Sequence, residues 1–215
     1  MEKKKFSENE TRSYSFEIKA KEDEVKGSFV EGTAIVFDKR TNLGDFDEVI
    51  SKDALSKTDL KDVRFLVNHN TDMIPLARSR NNNENSTMQM TVEEDGLKVR
   101  VNLDTENNTE AQNLYSAIQR GDVSGMSFMF TVRGDEWEDL ESDHPTRIIT
   151  DIAKVYEVSA VTFPAYEQTD ISARCKEKLE SFKEMLESKR KAETEKIIKK
   201  ESDERKRKIA LLETI

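Results

Sequence analysis

The residue types able to do chemistry are few in this 215-residue chain, and their scarcity narrows the options. Two histidines, His69 and His144, cannot build a histidine-rich metal site, although carboxylates could still hold a hard cation. The single Cys175 excludes an intramolecular disulfide and any Cys-x-x-Cys pair. Gly-x-Ser-x-Gly, His-Glu-x-x-His and a phosphate-binding glycine loop are absent. What remains is a histidine, a serine and a glutamate in unusual settings.

His69 closes the run Val63-Arg64-Phe65-Leu66-Val67-Asn68-His69. Strand alternation puts it on the face of Val63, Phe65 and Val67, where an imidazole continues an apolar stripe. A reactive histidine and a structural one bonded to a backbone carbonyl both fit that position. Ser127 lies in Gly121-Asp122-Val123-Ser124-Gly125-Met126-Ser127-Phe128-Met129-Phe130, where a glycine-containing turn enters an apolar strand and can present a hydroxyl. Ser124 is its competitor; Ser127 is preferred because it is within the strand. Glu157 alternates with Val155, Ser159, Val161 and Phe163 on one face of an otherwise apolar strand. A carboxylate buried there needs a cation or a donor such as an imidazole N–H; the alternatives are a solvent-facing edge glutamate or an ion pair with Arg or Lys. His144, between Asp143 and Pro145, is expected in solvent.

The elements that must position these residues are mostly strands. Tyr14 to Ile18 alternates, and Gly27 to Phe37 is β-rich and glycine-punctuated. Ser51 is a suitable cap for a short helix over Lys52 to Leu60, after which Val63 to His69 returns to a strand. Met88, Met90 and Val92 share one face of a hairpin, Asp95-Gly96 supplies the turn, and Leu97, Val99, Val101 and Leu103 share a face of the return strand. A helix capped by Asn108 or Thr109 carries Ala111, Leu114, Tyr115 and Ile118 inward and stops at Gly121. Strands over Ser127 to Val132 and Ile148 to Phe163 complete an α+β, mainly β body, and many strands with few helices suggest a closed barrel.

Composition bounds the rest. The chain is 37% charged and 35% hydrophobic, leaner in apolar residues than an ordinary globule, so some segment lies outside the core. Lys176 to Ile215 carries 13 Lys/Arg against 10 Asp/Glu, a net of +3, which leaves −12 for residues 1–175. An acidic body repels phosphate, so nucleic acid is not the expected ligand and protein partners are. No apolar run reaches the length of a membrane span, and Met1-Glu2-Lys3-Lys4-Lys5 does not lead into a signal-peptide core, which points to the cytoplasm. The organisation expected is a flexible segment over 1–13, one domain over 14–174 and a charged helical tail over 175–215, with an apolar seam at Leu179, Phe182, Leu186 and Ile198.

Four blocks in order carry a resemblance: Glu31-Gly32-Thr33-Ala34-Ile35-Val36-Phe37, Val67-Asn68-His69-Asn70, Gly121 to Phe128, and Glu157-Val158-Ser159-Ala160-Val161-Thr162-Phe163-Pro164-Ala165-Tyr166. Over about residues 14–174 the chain resembles the prohead maturation proteases of tailed phages, a family similar in fold and catalytic strategy to the herpesvirus assembly protease. Leu76-Ala77 departs from the Leu-Gly expected there. The resemblance implies a herpesvirus-protease-like closed β-barrel with a few surrounding helices and a serine endopeptidase without cofactor or metal. It places the family serine on Ser127, the histidine on His69 and the acidic third member on Glu157, with Asp151 in reserve; the herpesvirus relatives have a second histidine at that third place.

The mechanism so implied is acyl-enzyme formation, with backbone N–H groups as oxyanion donors; the loop after Phe163 is a candidate for these and Pro164 is excluded. The implied substrates are scaffold, the scaffolding region of the major capsid protein, and the protease itself, cut inside the immature procapsid in the host cytoplasm. No membrane partner is implied, and a homodimer would resemble the herpesvirus relatives. The tail is expected to serve in packaging or to be the self-cleaved segment. Two rival readings are a non-catalytic scaffolding or capsid-interaction protein and a small-molecule-binding barrel.

Overall fold

The computed structural model describes residues 9–14, 18–23, 27–142 and 144–163, and, beyond them, Glu180, Ser181, Lys183, Glu184, Glu187 and Ser188. Contacts divide the chain into two units, Met1–Ile171 and Ser172–Ile215. The six described residues of the second unit are helical. Cys175 and the seam at Leu179, Phe182, Leu186 and Ile198 lie outside the described residues.

In the first unit the strands are β1 (Glu10–Tyr14), β2 (Lys19–Asp23), β3 (Gly27–Val36), β4 (Thr41–Asn42), β5 (Asp47–Ile50), β6 (Arg64–Val67), β7 (Ala77–Arg78), β8 (Met88–Glu93), β9 (Gly96–Asn102), β10 (Gly125–Glu138) and β11 (Thr146–Val161). The helix α1 spans Thr109–Arg120 between β9 and β10. Its signals are local: the Asn108 side chain accepts from the backbone N–H of Glu110 and Ala111, and Gly121 ends it in the left-handed region at φ 81°. β1 begins at Glu10, inside the segment expected to precede the domain.

The expected closed barrel is corrected by the pairings, which among the described residues form two sheets. One has the order β1-β10-β11-β5-β4 with β6 on β11 and β7 on β6; the other is β2-β3-β9-β8. The physical reason lies in β11. One of its edges is paired with β10 throughout, whereas the other is shared by two short parallel strands, β5 against Thr146–Ile149 and β6 against Glu157–Ala160. Between them the expected helix over 52–60 is a series of turns, with Ala54 N–H on Ser51 O, Ser56 on Asp53 and Thr58 on Leu55. The turn backbone is bonded to the β11 edge instead, through Ile152 N–H to Ala54 O and Asp59 N–H to Ala153 O, and a helix would have to give up those bonds.

Both sheets and α1 feed one core. Phe128, Phe130, Ile149, Ile152 and Val158 come from the larger sheet, Val30, Ile35, Leu97, Val99 and Val101 from the smaller, and Ala111, Leu114 and Ile118 from the helix. The hairpin β8–β9 turns at Glu94-Asp95, with Gly96 already paired to Glu93. Gly96 has φ 157°, and a Cβ there would overlap the Ile35 carbonyl oxygen, so the position requires glycine. Ala77, at the departure from the expected Leu-Gly, is buried in β7 opposite Phe65. No helix among the described residues is long and apolar enough to cross a membrane.

Candidate active site

Glu157 and Ser159 occupy the face of β11 opposite the core, and Ser127 stands directly across from Ser159 on β10. Directly opposed residues of an antiparallel pair share a face, so hydroxyl, hydroxyl and carboxylate lie together. The grouping of Glu157 with Val155 is corrected here. The ladder pairs Met129 with Glu157 but Phe130 with Val155, so Tyr156 is an extra residue and the alternation changes face between 155 and 157. Such a bulge re-aims a side chain. Val155 thereby points into the core, as do Val158 and Ala160, while Glu157 leaves it.

The placing of His69 is likewise corrected. β6 ends at Val67, and Asn68 and His69 both take left-handed backbone, at φ 50° and 57°. This turn carries His69 off the stripe of Phe65 and over to Glu157. Non-glycine residues in that region are held by their surroundings, and here the holds are explicit. Asn68 N–H donates to Ala160 O at 3.0 Å, the Asn68 side-chain oxygen accepts from Thr162 N–H at 2.9 Å, and Asn68 Nδ2 donates to Thr162 Oγ1 at 3.0 Å. His69 N–H donates to Ser159 Oγ at 3.1 Å, and Asn70 N–H to Val67 O at 3.0 Å.

His69 Nδ1 lies 2.6 Å from Glu157 Oε1, and Ser159 Oγ donates to Glu157 Oε2 at 2.5 Å. The Glu157 side chain is 3% exposed, so its partners, not water, satisfy it. The other ring nitrogen, His69 Nε2, is buried and has no hydrogen-bond partner among the described residues.

The structure brings His69 and Glu157 into contact and puts Ser127 on the neighbouring strand, but the Ser127 hydroxyl is bonded elsewhere. It donates to the Arg12 carbonyl at 2.9 Å and accepts from Ser13 Oγ at 2.7 Å. Both partners belong to β1, which pairs Ser13 with Ser127. Ser127 is fully buried, whereas Ser124 is exposed on the turn before β10. Asp151 is not brought to His69: it pairs with Arg133 at 2.7 and 2.8 Å, and that hydrogen bond holds its carboxyl below the usual range. His144 is half-exposed, its Nε2 at 2.9 Å from Asp47 Oδ1.

β1 is held by charge as well as by its ladder. Arg12 bonds Glu48 at 2.5 and 2.7 Å and Glu10 at 2.7 Å; Arg147, with no exposed side-chain area, bonds Glu10, Glu48 and Asp135. Burial alone would push Glu10 up, but the hydrogen bond and charge of Arg147 and the charge of Arg12 hold it down at about 2. Burial opposes the charge on Arg12, and Glu48 more than restores it.

Sequence reasoning gave no role to Ser159, Arg12 or Ser13. Ser159 had a signal, a polar residue two positions from Glu157 on the same strand. The β1 residues had none, because only the ladder brings position 13 to position 127. The segment after Phe163 expected to supply oxyanion donors lies outside the described residues. Among the described residues, no group of three or more His, Cys, Asp or Glu is placed to hold a metal ion.

Comparison with known proteins gives three likenesses. A family model described as caudovirus prohead serine protease matches residues 14–185. The prohead protease of Enterobacteria phage HK97 is 35% identical over 158 residues, which is 73% of this chain, and the chain spans 64% of that protein's length. The structure of the bacteriophage T4 capsid assembly protease matches 71% of this chain and 96% of its own, with 14% identity and a TM-score of 0.42.

Proposed function

This chain belongs to the caudovirus prohead serine protease family, and we propose that it is a serine endopeptidase of procapsid maturation in which Ser127 is the nucleophile, His69 the general base and Glu157 the group that orients His69. The observation that carries this reading is the state of the imidazole, whose Nδ1 is tied to Glu157 while Nε2 is buried and has no partner among the described residues. An ionised carboxylate only accepts hydrogen bonds, so Nδ1 keeps its proton and Nε2 offers a lone pair. Glu157 and Ser159, the two residues that hold His69, stand on the sheet face that also carries Ser127.

In the reaction Ser127 leaves the Arg12 carbonyl and donates to His69 Nε2. Nε2 takes the proton as Oγ attacks the scissile carbonyl, and Glu157 stabilises the imidazolium. The imidazolium then protonates the leaving amine as the peptide C–N bond breaks. Nε2 then takes a proton from a water whose oxygen attacks the acyl carbon, and the imidazolium returns that proton to Ser127 Oγ as the acyl C–O bond breaks. Bonds between catalytic groups often tighten only when substrate binds, so a serine bonded elsewhere beforehand agrees with this sequence.

The substrates are extended segments of scaffold or of the major capsid protein's scaffolding region, together with the protease itself, inside the immature procapsid in the host cytoplasm. A domain over 14–174 does the chemistry, and the charged segment over 175–215 serves in packaging or is itself cleaved. The test is co-expression of the full chain with its phage's major capsid protein, read by intact mass. Wild type shortens the capsid protein and itself, and Ser127→Ala leaves both at full length. Equal processing by the two would overturn the assignment, and assembly of normal shells without processing would favour a scaffold.

A further inference from the structure

We infer that Ser159 is a positioning residue for this reaction, the hydroxyl that joins His69 and Glu157 into one unit; the inference rests on the reading of His69 as the base. Two hydrogen bonds meet at its oxygen, and elementary chemistry fixes the direction of both. The His69 backbone N–H, at 3.1 Å, can only donate, so Ser159 Oγ accepts there. A hydroxyl has one proton, and it goes to Glu157 Oε2 at 2.5 Å. The other oxygen of Glu157 takes the Nδ1 proton of His69 at 2.6 Å.

The three bonds close a loop that runs from the His69 backbone through Ser159 to Glu157 and back to the His69 ring. Its effect is to hold both ends of one residue against a single carboxylate. The backbone end is a left-handed turn at φ 57°, which needs such a hold, and the ring end is the imidazole whose Nε2 has no partner among the described residues. Ser159 is fully buried and Glu157 is 2% exposed, so water does not compete for either bond. A donor on Oε2 also keeps the carboxylate an acceptor toward Nδ1, which selects the tautomer with a lone pair at Nε2. Ser159 stands opposite Ser127 in the ladder, so the loop is built beside the residue it serves.

The experiment uses the full chain labelled with 15N-histidine, with His144→Gln to assign the two rings, and compares wild type, Ser159→Ala and Ser127→Ala. The Nδ1 proton of His69 is expected far downfield in wild type and in Ser127→Ala, and shifted upfield or exchanged away in Ser159→Ala. On a peptide copied from a junction cleaved in the co-expression assay, Ser159→Ala is expected to lower kcat roughly 10- to 100-fold, the loss from removing a hydrogen bond to a charged group. KM should stay within about twofold, because Ser159 acts through His69 and does not itself bind substrate.

If Ser159→Ala does not fold, Ser159→Cys takes its place, with similar volume and a weak donor. An unchanged Nδ1 signal together with an unchanged kcat would overturn the role of Ser159. An active Ser127→Ala would instead strike the assignment of Ser127 as nucleophile, and the histidine signal would then decide alone whether the loop exists.

Discussion

The histidine half and the serine half of the candidate site are held in opposite ways. Around His69, β11 holds the backbone N–H through Ser159 and the ring Nδ1 through Glu157, and Nε2 is buried with no partner among the described residues. Around Ser127, β1 has taken both the proton and a lone pair of the hydroxyl, through the Arg12 carbonyl and Ser13 Oγ. One half leaves a ring nitrogen without a partner among the described residues, and the other has its hydroxyl committed to the sheet. The magnitudes show that this is a weak hold. Each neutral hydrogen bond is worth about 1 kcal/mol net, against roughly 8 kcal/mol or more that an enzyme removes from a barrier. On the proposed reading, pre-organisation lies with the base, and the nucleophile has to give up these two weak bonds.

The largest test breaks the histidine half. Glu157→Gln puts an amide against Nδ1, whose N–H2 group can reverse the tautomer and place the proton on Nε2, where it blocks the base. A loss of about 10³- to 10⁴-fold in kcat is expected with the fold intact, measured in single turnovers on the junction peptide. Retention of more than about a tenth of wild-type rate would show that Glu157 does not orient the imidazole.

Next comes the anchor of the serine half. Arg147→Met leaves Glu10, Glu48 and Asp135 without a buried cation that each of them contacts. Removing one partner of a buried ion pair costs about 3–5 kcal/mol, and urea unfolding should show a loss of that size. Faster hydrogen exchange in β1 than in β6 would accompany it. A loss below about 1 kcal/mol would mean that the ladder with β10 alone holds β1.

How far these two halves were legible in the sequence follows from what positions them. Local signals were read directly: Asn108 and Gly121 bound α1, and alternation on both sides of Asp95-Gly96 gave the β8–β9 hairpin. His69, Ser127 and Glu157 could be singled out because each is a polar residue in an apolar run. Their facing was misread in two cases, since one bulge at Tyr156 and one left-handed turn at Asn68-His69 each reverse a period-two pattern without changing composition. The two-sheet topology was misread for a different reason. Whether strands close into a barrel depends on which edges are occupied, and the division of one β11 edge between β5 and β6 leaves no local mark.

Acid should loosen the anchor of the serine half. Burial pushes Glu10 up, but Arg147 and Arg12 hold it down to about 2 from its ordinary 4.5, so the folded form binds its proton less readily than the unfolded form. A lowered carboxyl contributes its full stabilisation above pH 4.5 and loses it as pH falls toward 2. The shift corresponds to about 3 kcal/mol, with little discount because the side chain is 14% exposed. Stability measured by urea unfolding should therefore decline across that window, and Glu10→Gln should show a shallower decline from a lower starting value. Parallel slopes would assign the acid sensitivity to other carboxylates.

The smallest effect comes from the most direct contact. Ser13 donates to the oxygen of Ser127 that would attack the substrate, and a donor on that lone pair draws electron density away from it. Ser13→Ala removes the donor and leaves the Arg12 carbonyl as the partner of the Ser127 proton. Stability should fall by about 1 kcal/mol, the net worth of one neutral hydrogen bond. Single-turnover acylation should rise roughly two- to threefold, since less than about 1 kcal/mol of ground-state hold is released. A tenfold fall would reverse the comparison and place Ser13 among the groups that aim the nucleophile, making β1 part of the machinery and not its restraint.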